Sequence, residues 1–417
     1  MPNPPTPLNK RLAVGLLVAA TGVGAGDIVV AAFAGSRYGT SLLWAIVVGA
    51  ILKYVLNLGL ARWDVATGTT FLEGWLTRLP RAVAVFFGGY LLLWSFFVAG
   101  ALITFNGLVA NTLFPLPVTE AYGTAIWGSL QSLLVVLLVR RGGYQRIEQL
   151  MSVFIGLMFV LIVACALLVG PDWGEVLCSL VVPRMDADVG TLKFVVALIG
   201  GVGGTVTILC YSYWLREKRA VGASSLHEIK QDLGVAYVLT AVFGIAVTII
   251  AAGVDPGNVK GYRLVVGIAD ELGGILGPLG SWVFYLGFWA AVFTSMIGVW
   301  SGVPYLFADF ARRYAGRHDR KAATVTPLPK TPAYRWFLLY LALPPIVMAL
   351  FEKPQWVALA YAVTGAFFAP FLAVLVLYMN NKVAWVGALR NGWATNALLV
   401  FCLVVFLGLL GVKVVGG

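Results

Sequence analysis

Two side chains stand out for the chemistry they could do, Asp27 and Lys53. Each lies within a long apolar run, and no other charged side chain falls near the middle of such a run. A carboxylate in hydrocarbon is costly and marks an ion or substrate site by default. Lys53, in GAILKYVLN, is too deep to snorkel easily to an interface. An ion pair between the two is the cheapest arrangement for both. Capping the start of a half-helix is the alternative role for Asp27.

Asp27 belongs to TGVGAGDIVV, residues 21–30, which also holds Gly22, Gly24 and Gly26. A second cluster, Gly200, Gly201, Gly203 and Gly204, opens LIGGVGGTVTILCYSYW. Each glycine costs about 1 kcal/mol of helix preference relative to alanine. Two readings stay open. Small residues let helices cross closely. Alternatively the helix unwinds, and freed carbonyls help hold a cation.

The elements that must position these residues are membrane spans. The chain has 417 residues, 60% hydrophobic and 11% charged, with a mean hydropathy of +0.91. A soluble domain carries about 25% charged residues. Runs long enough to span a bilayer lie at 13–34, 42–62, 82–113, 122–139, 149–169, 191–215, 234–253, 278–307, 336–350, 355–379 and 393–415. Pro344-Pro345 makes the run 336–350 the weakest. Long helical runs rule out an outer-membrane barrel. With the N-terminus inside, about 21 lysines and arginines fall on the inner side and about 7 on the outer. That bias predicts a cytoplasmic N-terminus, an outer C-terminus and an inner or plasma membrane location. The formal charge of +11 is then topology, and a nucleic-acid partner would need a basic soluble domain. No cleaved signal is expected at the N-terminus, because further spans follow the first.

Enzyme and channel readings find little support. The four cysteines are scattered, and His227 and His318 lie in inner loops. There is no nucleophile–base pair, HExxH, phosphate loop or repeated filter, and no cofactor is called for. The two glycine-rich spans lie five apart, so each opens one half of a 5+5 arrangement with inverted repeats. The expected organisation is a tail, 1–12, and one transmembrane domain, 13–415. Its repeats would span about 13–169 and 191–379, with an extra helix at 393–415.

Along nearly its whole length the chain resembles the Nramp divalent-metal transporters, an all-α family with the LeuT-type fold. GSRYGTSLLW and LARWDVATGTTFLEGW resemble the end of helix 1 and helix 2 of that family. YQRIEQLMSVFIGLMFV and PDWGEVLCSLVVP resemble helix 5 and the loop after it. AAVFTSMIGVWSG resembles helix 8, and YMNNKVAWVGALRNGW the helix 10–11 junction. The resemblance implies alternating access around broken helices 1 and 6.

It also implies where the substrate site lies, and there the chain departs from the family. The family's Asp-Pro-Gly-Asn falls on Gly24, Ala25, Gly26 and Asp27, so the carboxylate has moved to the asparagine place. The family's Ala-Thr-Val-Met-Pro-His-Asn falls on the stretch from Gly204 to Cys210. Thr207 replaces the thioether, and Leu209 the histidine. The acidic proton-path places of helix 3 fall near Ala99 and Leu102, which carry no proton. Oxygen ligands remain, and these suit hard ions. The expected substrate site is Gly24, Ala25, Gly26, Asp27, Lys53, Gly204, Thr205, Thr207 and Tyr211, with Asp27 and Thr207 as metal ligands. Thr294 and Ser295 are coupling-ion candidates unless their own helix satisfies them. Tyr211, Tyr213 and Trp214 either line the helix-6 cavity or form an aromatic belt.

The resulting expectation is a monomeric secondary transporter of a hard divalent cation, Mg²⁺-like or broadly selective. A hydrated Mg²⁺ needs one or two carboxylates, and Asp27 supplies one. The alternative is a small solute or anion carrier, Na⁺- or H⁺-coupled, with Lys53 as counter-charge. Partners are the transported ion and the lipid bilayer.

Overall fold

The computed structural model describes residues 13–184, 189–201, 203–219, 225–254, 263–316, 327–351 and 354–415. A few side chains inside helices, that of Asp27 among them, lie outside the described set. The expected tail 1–12 lies outside it too. All regular elements among the described residues are helical.

The first apolar run is two short helices, α1a (Ala13–Gly22) and α1b (Ala25–Tyr38). Then come α2 (Leu43–Thr67), α3 (Arg81–Leu113), α4 (Glu120–Gly143) and α5 (Gln145–Leu168). The sixth run is split into α6a (Val189–Gly201) and α6b (Cys210–Arg219), with a 3₁₀ turn at Val206–Leu209 between them. The second half continues through α7 (Leu226–Ala251), α8 (Pro278–Ala315), α9 (Pro332–Leu350), α10 (Ala360–Asn380) and α11 (Trp393–Val415). Nine stretches among the described residues are long and apolar enough to cross a membrane. A further pair, Val383–Leu389 with Trp393–Phe406, bends by 119°. With the split first run, these helices account for all eleven expected spans.

Local sequence sets the helix ends. α7 starts on a capping box, in which the Ser225 hydroxyl accepts from the Glu228 amide and the Glu228 carboxylate accepts from the Ser225 amide. α9 starts on Thr331, whose hydroxyl accepts from the Tyr334 amide ahead of Pro332 at the first helical position. α4 and α5 meet at Gly143, where φ is +67° and the chain kinks. Long contacts run from α8 to α3, α4 and α5, and from α7 to α1a, α1b and α2. α1 and α6 are thus enclosed by the rest of the bundle.

The breaks of α1 and α6 lie against each other. A Cβ on Gly22 would come within 2.8 Å of the Gly203 carbonyl carbon. Both glycine readings therefore hold at once: the chain unwinds at a close helix crossing. Gly22→Ala is expected to destabilise the carrier by about 1–3 kcal/mol, since backbone cannot move aside as a side chain can. Thermal unfolding in detergent measures this.

Candidate ion-binding site

A helix leaves its last four carbonyls without intrahelical partners, and they carry its negative dipole end. Both first halves, α1a and α6a, end inside the bundle, so these oxygens need donors. Ala19 O accepts from the Val23 amide at 2.9 Å. The next oxygens turn to α8. Ser295 Oγ lies 3.3 Å from Ala20 O, 2.8 Å from Thr21 O and 3.1 Å from Val23 O. One hydroxyl proton faces three acceptors, so the pocket gathers more lone pairs than Ser295 can satisfy. Thr294 instead donates to Ala291 O of its own helix, 2.9 Å away.

At the other break, Lys53 Nζ donates to Gly200 O at 2.8 Å and also to Gly204 O. Lys53 is 1% exposed. Gly203 and Gly204 have φ of +83° and +84°, which only glycine adopts at no steric cost. That left-handed turn brings the Gly204 carbonyl to the same ammonium as Gly200. Neither partner was foreseen for Lys53, and the expected partner, the Asp27 carboxylate, lies outside the described side chains. The Asp27 backbone is the third residue of α1b.

The hydroxyls of Thr21 and Thr205 are buried and have no hydrogen-bond partner among the described residues. Thr207 lies in the 3₁₀ turn and is buried, with its Oγ1 2.6 Å from where a Cβ on Gly204 would be. Tyr211 is buried in α6b, and its hydroxyl is 3.4 Å from Asp232 Oδ2. Cys210 packs on Gly302 of α8. Asn57 donates to the Tyr237 hydroxyl at 3.2 Å. Among the described residues, carbonyl and hydroxyl oxygens and the Lys53 ammonium face the two breaks, with the Asn57 amide and the Cys210 sulfur packed nearby. Among the described residues, no group of three His, Cys, Asp or Glu side chains could hold a metal.

A second layer closes the end of the bundle that carries most arginines. Asp64 of α2 pairs with Arg216 of α6b at 3.0 Å, and Arg216 also donates to Gly68 O. Asp309 of α8 accepts from the Tyr213 hydroxyl at 2.9 Å, from Arg312 at 3.0 Å and from Arg313 at 2.8 Å. Arg313 reaches on to Glu73 at 2.8 Å. Beside these contacts opens a cavity of about 550 Å³, lined by Leu17, Tyr213, Trp214, Ser301 and Tyr305 among others. Tyr213 and Trp214 are therefore cavity residues, not an aromatic belt.

Sequence reasoning missed this layer, and it missed Asp232, which it left outside the seventh span. The signal was present: the capping box at Ser225 starts α7 early enough to carry Asp232 into the packed helix. Asp309 was legible too, from arginines three and four residues later on one helix face.

Two broken helices meeting inside an apolar bundle, with backbone oxygens turned to the breaks, are the architecture of the LeuT-type fold. A family model described as Nramp, natural resistance-associated macrophage protein-like, matches residues 15–416. The chain belongs to the Nramp family, and it is an integral membrane transporter, not an enzyme. The divalent metal cation transporter MntH of Bacillus subtilis is 24% identical over 398 residues, 90% of this chain and 86% of that protein. A crystal structure of a manganese transporter from Eremococcus coleocola superposes with a TM-score of 0.73 at 16% identity, over 96% of this chain and 85% of that one. MhsT in complex with L-phenylalanine gives a TM-score of 0.64 at 18% identity, over 96% and 98%. At these identities the solved structures show the fold alone.

Proposed function

We propose that this chain carries a metal cation across the membrane by alternating access around the two breaks, and that it favours hard, oxygen-ligated divalent ions of Mg²⁺-like or broad selectivity. The observation that carries this reading is the donor set. Carbonyls and hydroxyls face the breaks, and Thr207 stands where the family has a thioether. Hard cations take oxygen ligands, whereas soft ligands select transition metals. The names of the relatives support metal-ion transport as the class.

Asp27 supplies the charge and Thr207 a neutral oxygen, with Gly24, Ala25, Gly26, Gly204 and Thr205 around them. Tyr211 borders the site. Ser295, with the α1a carbonyls, forms the coupling-ion site, and Thr294 supports its backbone. Lys53 turns its ammonium to carbonyls, as a cation does, which argues against the small-anion alternative. The N-terminus lies in the cytoplasm, the C-terminus outside, and the working unit is a monomer with two inverted repeats.

Proteoliposomes test the reading. Purified carrier should take up Ca²⁺ or Mg²⁺ and leave phosphate and small organic anions outside. Anion uptake without cation uptake would reverse the assignment.

A further inference from the structure

The caps on the two broken helices differ in charge. Serine gives α1a one neutral proton; lysine gives α6a a full positive charge. The claw that holds Lys53 Nζ is made of the Gly200 and Gly204 carbonyls. It exists because Gly203 and Gly204 turn left-handed. Backbone carbonyls at a broken helix are the ligands on which carriers hold their coupling cations. The claw is therefore a cation site, and its occupant belongs to the chain itself.

The ammonium's side chain is buried, 1% exposed. Gly203 packs against the Tyr237 ring, with Lys53 Cβ 3.6 Å from where its own Cβ would be. Gly22 of the α1 break lies against Gly203 and Gly204. A cation held at the α1–α6 crossing would sit beside the ammonium and repel it, in surroundings with little water to screen the two. Carbonyls left bare in hydrocarbon are costly in turn. Occupied and emptied carrier thus make opposite demands on the same two oxygens.

We propose that Lys53 is a tethered surrogate cation: its ammonium caps the α6a carbonyls in the cargo-free carrier, is displaced when cargo binds, and returns when cargo leaves. The emptied carrier can then cross back with its carbonyls satisfied, so net transport needs no second ion for the return step. This inference rests on the cation reading given above.

The test separates net uptake from exchange. Full-length carrier in proteoliposomes is given radiolabelled Ca²⁺, either with no internal Ca²⁺ or with unlabelled Ca²⁺ inside. Lys53→Met should bind Ca²⁺ about tenfold more tightly, a coupling of ordinary size. Its net uptake should be lost, because the return step then leaves the carbonyls bare, while exchange persists. Lys53→Arg should keep net uptake. Lys53→Leu, which also has no donor for the carbonyls, stands in if the methionine variant does not fold, with the same direction expected. A neutral variant that leaves both modes unchanged overturns the inference. So does one that loses both equally, because Lys53 would then serve cargo binding. Wild-type carrier that moves no Ca²⁺ in either mode, nor Mg²⁺ in the uptake assay, overturns the cation reading and this inference with it.

Discussion

Asp27→Asn is expected to abolish divalent-cation uptake, by about two orders of magnitude or more, in a carrier that still folds. Ligand charge count sets divalent-ion affinity over several decades, and Asp27 is the one carboxylate expected at the breaks. Asparagine keeps the shape and a carbonyl oxygen but removes the charge. It also suits the first turn of α1b, where a short polar side chain meets unpaired amides. Stability should therefore fall less than transport. Uptake in proteoliposomes and thermal unfolding in detergent are measured together. Retained uptake would show that the carboxylate does not touch the cargo. The double variant with Lys53→Met asks whether the two charges meet in any state: stability losses smaller than the sum signal coupling, and additive losses signal separation.

The second large effect is expected at Asp309. One buried carboxylate takes three donors, from Tyr213 of α6b and from Arg312 and Arg313 of its own helix. Removing one partner of a buried ion pair costs about 3–5 kcal/mol. The guanidiniums are 29% and 23% exposed, so water recovers part of that loss, and Asp309→Ala should fall at the lower end. Tyr213→Phe removes a single hydrogen bond to a charged group and should cost about 1.5–3 kcal/mol. Both variants remove the Tyr213–Asp309 bond between α6b and α8, so both should also change transport rate. An Asp309→Ala carrier with wild-type unfolding temperature would show that these contacts do not hold the two helices together.

Much of the fold was legible because bilayer physics writes it plainly. Eleven apolar runs became the helices, and the glycine clusters became the two breaks. Thr294-Ser295 was legible only as a pair that meets the helix-1 carbonyls or bonds back to its own helix, not which hydroxyl does which. That depends on the rotation of α8, and the result is that Ser295 meets α1a while Thr294 bonds back to Ala291. The partners of Lys53 were hidden for a different reason. Gly200 and Gly204 lie 147 and 151 residues away in sequence, and backbone oxygens leave no trace in residue type. Hydropathy also placed the start of α7 too late and so passed over Asp232. The apolar run begins after the helix does, because its first two turns are polar.

The donor set at the breaks is the centre of this account, and cation selectivity tests it most directly. Initial uptake rates of Mg²⁺, Ca²⁺, Mn²⁺ and Cd²⁺ are measured in the same proteoliposomes, each alone and in competition. A site built from Asp27, Thr207 and carbonyl oxygens predicts that Mg²⁺ or Ca²⁺ is carried and that Mn²⁺ and Cd²⁺ gain no large advantage over it. High-affinity Mn²⁺ or Cd²⁺ uptake with Ca²⁺ and Mg²⁺ excluded would contradict it, and would mean that a softer ligand than Thr207 completes the site.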